Sequence, residues 1–116
     1  MQKLLIIDQD QKFIGDLQTK LARKFEILAT EDYSIAQQLL KKIPINLLLA
    51  RLPPESERKQ NNELRKMLKK LKQKKFKTVS KILIAPEGGD YQISEYLKYG
   101  VSAIVVDVGE VERWVG

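Results

Sequence analysis

Five short apolar runs punctuate the chain: Lys3–Ile7, Phe25–Thr30, Ile45–Ala50, Lys81–Ala85 and Val101–Val108. Runs of this length, with turn residues nearby, read as strands, and near-continuous apolarity marks strands buried on both faces. Between them the apolar residues recur at helical spacing. Phe13, Ile14, Leu17 and Leu21 form one such stripe, and Ile35, Ala36, Leu39 and Leu40 a second. Leu64, Met67, Leu68 and Leu71 form a third, on a long helix expected from about Glu57 to Lys75, and Ile93, Tyr96 and Leu97 a fourth. Asp10, Ser34 and Asp90 stand where helix N-caps belong, and Gly100 suits a C-cap. Pro44 ends the second helix and Pro53-Pro54 breaks the chain after the third strand. A scrap of helix, Glu110–Val115, closes the sequence with the start of an apolar stripe at Val111, Trp114 and Val115.

Strands alternating with helices, without hairpin signals, imply βαβ units: an α/β fold with a parallel sheet covered on both faces. At 116 residues the chain is expected to be one domain. No apolar run approaches the length of a membrane span, and a strand-like run so close to Met1 leaves no room for a signal peptide, so a cytoplasmic protein is expected. Cysteine and histidine are both absent. Disulfides, thiolate chemistry, imidazole bases and most zinc sites are thereby excluded, which favours a non-enzymatic domain without a cofactor.

The net charge of +6 is unevenly spread. Residues 51–80 carry eleven basic and three acidic side chains, whereas residues 81–116 carry three basic and six acidic. Arg58, Lys59, Arg65, Lys66, Lys69, Lys70, Lys72, Lys74, Lys75 and Lys77 crowd the side of the third helix away from its apolar stripe. Three readings stay open: a solvated helix face, a docking surface for an acidic protein, or contact with nucleic acid. No aromatic interleaving or base-reading motif accompanies the patch.

In open parallel sheets, functional residues gather beyond the carboxyl ends of the strands. There the sequence delivers Asp8, Gln9 and Asp10 from the first strand, Ala50 and Arg51 from the third, Ala85 from the fourth and Asp107 from the fifth. Leu4–Asp10, Pro44–Pro54, Ile82–Pro86 and Gly100–Val108 together resemble the receiver domains of bacterial response regulators. The resemblance implies a doubly wound five-stranded sheet in the order 2-1-3-4-5, with a last helix that is short here. It also implies a pocket in which an acidic pair binds Mg²⁺ beside a phospho-accepting aspartate, a switch hydroxyl and a lysine. Pro44 and Pro54 frame the third strand as prolines do in that family, so Ala50 falls on the acceptor position. Gln9 stands for the second acid, Ala85 for the hydroxyl and Asp107 for the lysine.

Only Asp8 of the reactive set remains, and a methyl group cannot attack phosphorus. The chain is therefore read as a degenerate receiver whose pocket comprises Asp8, Gln9, Ala50, Arg51, Ala85 and Asp107. Strand ending and helix capping account for Asp8 and Asp10, with a weak residual cation site the alternative. Asp107 is expected to face Arg51 or another nearby charge and close the pocket. The resemblance further implies contacts through the fourth helix, fifth strand and fifth helix, naming Tyr91, Tyr96, Lys98, Tyr99 and Trp114, with Tyr96 alternatively in the core. Protein partners, a second copy, or an attached output domain such as a transcriptional regulator are expected. The chain would then be the N-terminal part of a longer regulator. The alternative is an accessory nucleic-acid-binding domain using residues 58–77.

Overall fold

Each apolar run forms a strand and each helical stripe a helix in the computed structural model, which describes residues 1–116. The order is β1 (Gln2–Ile7), α1 (Gln11–Leu21), β2 (Phe25–Thr30), α2 (Tyr33–Lys42), β3 (Leu47–Arg51), α3 (Arg58–Lys70), β4 (Ser80–Ile84), α4 (Ile93–Tyr96), β5 (Ala103–Val105) and α5 (Val108–Val115). All pairings are parallel and the strand order is β2-β1-β3-β4-β5, so β2 and β5 are the edges. This is the doubly wound architecture that the resemblance implied.

Alternation along the strands divides the core in two. Leu5, Ile7, Leu48, Ala50, Leu83 and Ala85 pack with Ala36 and Leu40 of α2 and Leu64, Met67 and Leu68 of α3. Leu4, Ile6, Leu47, Leu49, Ile82 and Ile84 pack with Ile14, Leu17 and Leu21 of α1 and Val111 of α5. The three central strands are apolar on both faces because both faces are covered. No helix is long and apolar enough to cross a membrane.

The structure departs from the sequence expectations where charge or length overrides periodicity. Asp10 caps α1 as expected, accepting from the Phe13 N–H at 3.1 Å. At α2 the cap is Asp32, not Ser34. Its carboxylate accepts from Ser34 N at 2.7 Å and Ile35 N at 3.1 Å, and an anion also suits the positive end of the helix dipole. Ile35 is consequently 48% exposed. Helix α3 stops at Lys70, not Lys75. Beyond Leu71 no residue continues the inward stripe, the backbone tightens, and a 3₁₀ turn at Lys74–Phe76 buries Phe76 instead.

Asp90 caps nothing. Its carbonyl accepts from Glu55 N at 2.7 Å, tying two loops together. Helix α4 is a single turn, continued by a 3₁₀ turn at Leu97–Tyr99 that ends on Gly100 with φ 70°. One turn cannot bury a full stripe. Tyr96 alone enters the core, while Ile93 and Leu97 remain 42% and 62% exposed.

Candidate functional site

The carboxyl ends of β1, β2 and β3 open into a cleft of ≈ 470 Å³. Parallel register brings Ile7 level with Ala50 and with Thr30, so the residues that follow each strand converge. Asp8 and Gln9 enter from β1, Glu31 and Asp32 from the β2–α2 connection, Tyr33 from the start of α2, Arg51 from β3, and Lys59 and Glu63 from the first turns of α3.

At its centre lies an ion pair. The Asp8 side chain is wholly buried, and its Oδ1 accepts from Arg51 Nε at 2.6 Å and from the Asp10 N–H at 3.0 Å. The guanidinium also reaches Asp10 Oδ2 at 3.6 Å and lies over the Phe13 ring, 5.1 Å from its centroid. Alternation explains the arrangement: Arg51 points to the face opposite Ala50, towards α1, and there meets the two aspartates that follow β1. Asp8 Oδ2 is buried without a hydrogen-bond partner. Tyr33 stands in the same field. Burial, reinforced by the Glu63 and Asp8 carboxylates, pushes its phenol up to about 12.

The residues the sequence grouped into one pocket separate into three environments. Asp8, Gln9 and Arg51 line the cleft. Ala50 and Ala85 do not; they are core residues, 0% and 7% exposed, and the Ala85 N–H donates to Val105 O at 2.8 Å. Asp107 neither faces Arg51 nor closes the cleft. It caps α5, accepting from Glu110 N at 2.9 Å, because α5 starts at Val108, two residues earlier than the periodicity implied. Arg51 is paired with Asp8 and Asp10 instead.

The Mg²⁺ that receiver domains use does not fit these residues. A hard divalent ion wants several oxygen ligands. Asp8 stands alone as a buried acid already in contact with a cation, Asp10 caps α1, and no three acids or histidines converge anywhere in the chain. The methyl of Ala50 supplies neither ligand nor nucleophile.

The expected contact residues also divide. Tyr96 is fully buried, its hydroxyl donating to Asn61 Oδ1 at 2.6 Å. Asn61 in turn donates to Pro54 O and Glu57 O at 2.9 and 2.8 Å, closing the first turn of α3. The Tyr91 hydroxyl is held by Pro86 O at 3.0 Å, and Lys98 pairs with Glu95 at 3.3 Å. Tyr99 is partly buried beneath Lys72, whose Nζ lies 5.6 Å from its ring centroid. Trp114 is 44% exposed.

The basic residues form no single stripe. Arg65 donates to Gln92 at 3.0 Å on the α4 side of α3, whereas Lys70 donates to Gln37 at 3.0 Å on the α2 side. Lys74, Lys75 and Lys77 lie on and after the 3₁₀ turn. None of the ten pairs with a carboxylate within 4.0 Å. The sequence reading passed over Glu31, Asp32, Tyr33 and Glu63; the signal was the acidic Glu31-Asp32 directly after β2. It also passed over Lys81, which sits 8% exposed in β4 with its ammonium pushed down by burial and by Lys72.

No family model matches the sequence, and no curated protein matches it significantly. Solved structures do. A response regulator from Thermotoga maritima is 11% identical with a TM-score of 0.77, over 99% of this chain and 94% of that one. The signal receiver domain of an HD domain-containing protein from Pseudomonas fluorescens Pf-5 is 17% identical with a TM-score of 0.75, over 98% and 90%. A receiver-modulated diguanylate cyclase from Pelobacter carbinolicus is 17% identical with a TM-score of 0.69, over 99% and 89%. The fold is that of the response-regulator receiver domain.

Proposed function

We propose that this chain is a receiver-like signalling domain of the cytoplasm that works without phosphorylation and without catalysis, through contacts with other protein surfaces. The observation that carries the reading is the Arg51–Asp8 pair at 2.6 Å beside a wholly buried Ala50. The carboxylate that would help hold a metal ion has a covalently tethered cation instead, and the position that would accept phosphate is a methyl in the core. A domain so built holds one state and serves as a fixed module.

The surface offered for contact surrounds the open edge of β5. Ile93 and Leu97 before that strand and Trp114 after it are exposed, and exposed large apolar side chains on such a rim suit an interface. Tyr91, Lys98 and Tyr99 stand around them; Tyr96 serves from beneath as a structural support. The occupants that fit are a second copy or an output domain, such as a transcriptional regulator, joined to a longer form of the chain.

The test is direct. ¹H–¹⁵N spectra are recorded with acetyl phosphate, then with beryllofluoride, each with Mg²⁺, and intact mass is measured in parallel. Unmoved cross-peaks and no added phosphoryl group are expected. A saturable shift around Asp8, or a phosphorylated species, overturns the reading.

A further inference from the structure

At the opposite end of the sheet, between the α2–β3 connection and the 3₁₀ turn after α3, lies a second groove of ≈ 400 Å³. Its floor is apolar: Leu40, Ile45, Phe76 and Val79 each show a sliver of surface, 5–8% of the residue. Its rim is cationic. Lys41 and Lys42 border it from α2 and Lys75 from the turn, with the Lys75 ammonium resting 5.0 Å from the Phe76 ring centroid. Residues 33–54 and 64–86, which include both walls, contain no acidic side chain. None of the three lysines has an ion-pair partner.

Lys41 and Lys42, in the last turn of α2, complement its dipole, but that role explains neither Lys75 nor an apolar floor without a counter-charge on its rim. We propose that this groove docks an acidic segment of a partner protein, with one apolar side chain on the Leu40–Phe76 floor and its carboxylates on Lys41, Lys42 and Lys75. Charge complementarity selects the anionic partner, and the floor selects a protein segment over a nucleic acid, whose phosphates gain nothing from apolar surface. The groove lies at the far end of the strands from Asp8, so this proposal stands or falls independently of the function proposed above.

The probe is a fluorescein-labelled peptide with one leucine flanked by glutamates, titrated by anisotropy against the full chain. Saturable binding that weakens as salt rises from about 50 to 200 mM is expected. Lys41→Glu/Lys42→Glu/Lys75→Glu, all exposed positions, should weaken it about tenfold or more. Replacing the peptide leucine by serine should weaken it about threefold or more. The reversal Lys12→Glu/Arg58→Glu/Lys66→Glu, away from the groove, should change it less than about twofold. Circular dichroism checks that both variants fold. No saturation by about 1 mM, equal loss in the two variants, or indifference to the leucine overturns the proposal. So does displacement of the peptide by duplex DNA at lower concentration, or sedimentation showing that a second copy fills the groove.

Discussion

Replacing Arg51 by methionine keeps much of the length and apolar stem of the side chain and removes its charge. At 2.6 Å and an effective dielectric of about 20, the pair attracts by about 6 kcal/mol before desolvation is counted. Most of that offsets the cost of taking a guanidinium partly and a carboxylate wholly out of water. Removing one partner of such a pair strands the other, which typically costs about 3–5 kcal/mol. The Arg51 side chain keeps 26% of its surface, so the lower end, about 3 kcal/mol, is expected. Losing the contact over Phe13 accounts for about 0.5 kcal/mol of it. Asp8→Asn leaves the guanidinium to Asp10 and to water, and should cost less, about 1.5 kcal/mol. The double variant has no stranded charge and should lie near the milder single, giving a coupling energy of about 3 kcal/mol. Urea unfolding followed by circular dichroism reads all four corners. An Arg51→Met variant within about 0.5 kcal/mol of the parent, or a coupling below that value, would refute the assignment of this pair as the centre of the cleft.

Lys81 is 8% exposed as a residue in β4 and carries its ammonium without a carboxylate beside it. Its lowered pKa means that the folded state resists the charge, so the cost is present at neutral pH and relieved as pH rises towards the ordinary lysine value. Lys81→Met should therefore stabilise modestly and raise Tm; a lower Tm contradicts this. Tyr96→Phe deprives Asn61 Oδ1 of its 2.6 Å donor and should cost about 1–2 kcal/mol in urea unfolding, with an unchanged midpoint the contrary result. The Tyr33 and Tyr96 phenols are both raised, chiefly by burial, Tyr33 to about 12. Raised acids hold their protons longer when folded, so their contribution is complete below pH 10 and disappears as pH climbs past it. Phenolate absorbance should show Tyr33 titrating late, with Tyr96 in the same direction, and stability falling across that window; all tyrosines ionising together near pH 10 would contradict it.

Strand identity was legible because buried parallel strands write themselves as apolar runs, as at Leu4–Ile7 and Leu47–Ala50; their order was implied only by the family resemblance. Helix limits were not, where capping chemistry competes. Asp32 and Ser34 both suit an N-cap, and the choice depends on how β2 delivers the chain to α2. Helix α4 misled for a different reason. Ile93, Tyr96 and Leu97 have helical spacing, but Tyr96 finds a buried amide on α3 and needs no neighbours beside it in the core. Within the site, Asp8 and Arg51 were named separately while their contact was not, because the pair is set by the register of β1 against β3. The pairing expected for Asp107 failed because a carboxylate before an eight-residue helix has a closer partner in that helix's own N–H groups. Glu31, Asp32 and Tyr33 were overlooked because β2 is an edge strand, yet its loop forms one wall of the cleft.

The burial of Ala50 also bears on whether a phosphate-accepting carboxylate can be installed at this position. Ala50→Asp alone would put an ionised side chain into a position with no solvent-exposed surface, among the apolar side chains of the α2 and α3 face, with the Arg51 guanidinium on the other face of the sheet and committed to Asp8 and Asp10. That variant would fold less well and still lack a metal-binding set, so each such substitution is disadvantageous until the others are present. Stepwise reconstruction of Ala50→Asp, Gln9→Asp and Arg51→Met, scored by labelling with acetyl phosphate and Mg²⁺, should show no phosphorylation in any single variant. The site therefore resists acquiring phosphoryl chemistry one substitution at a time: several changes are needed together.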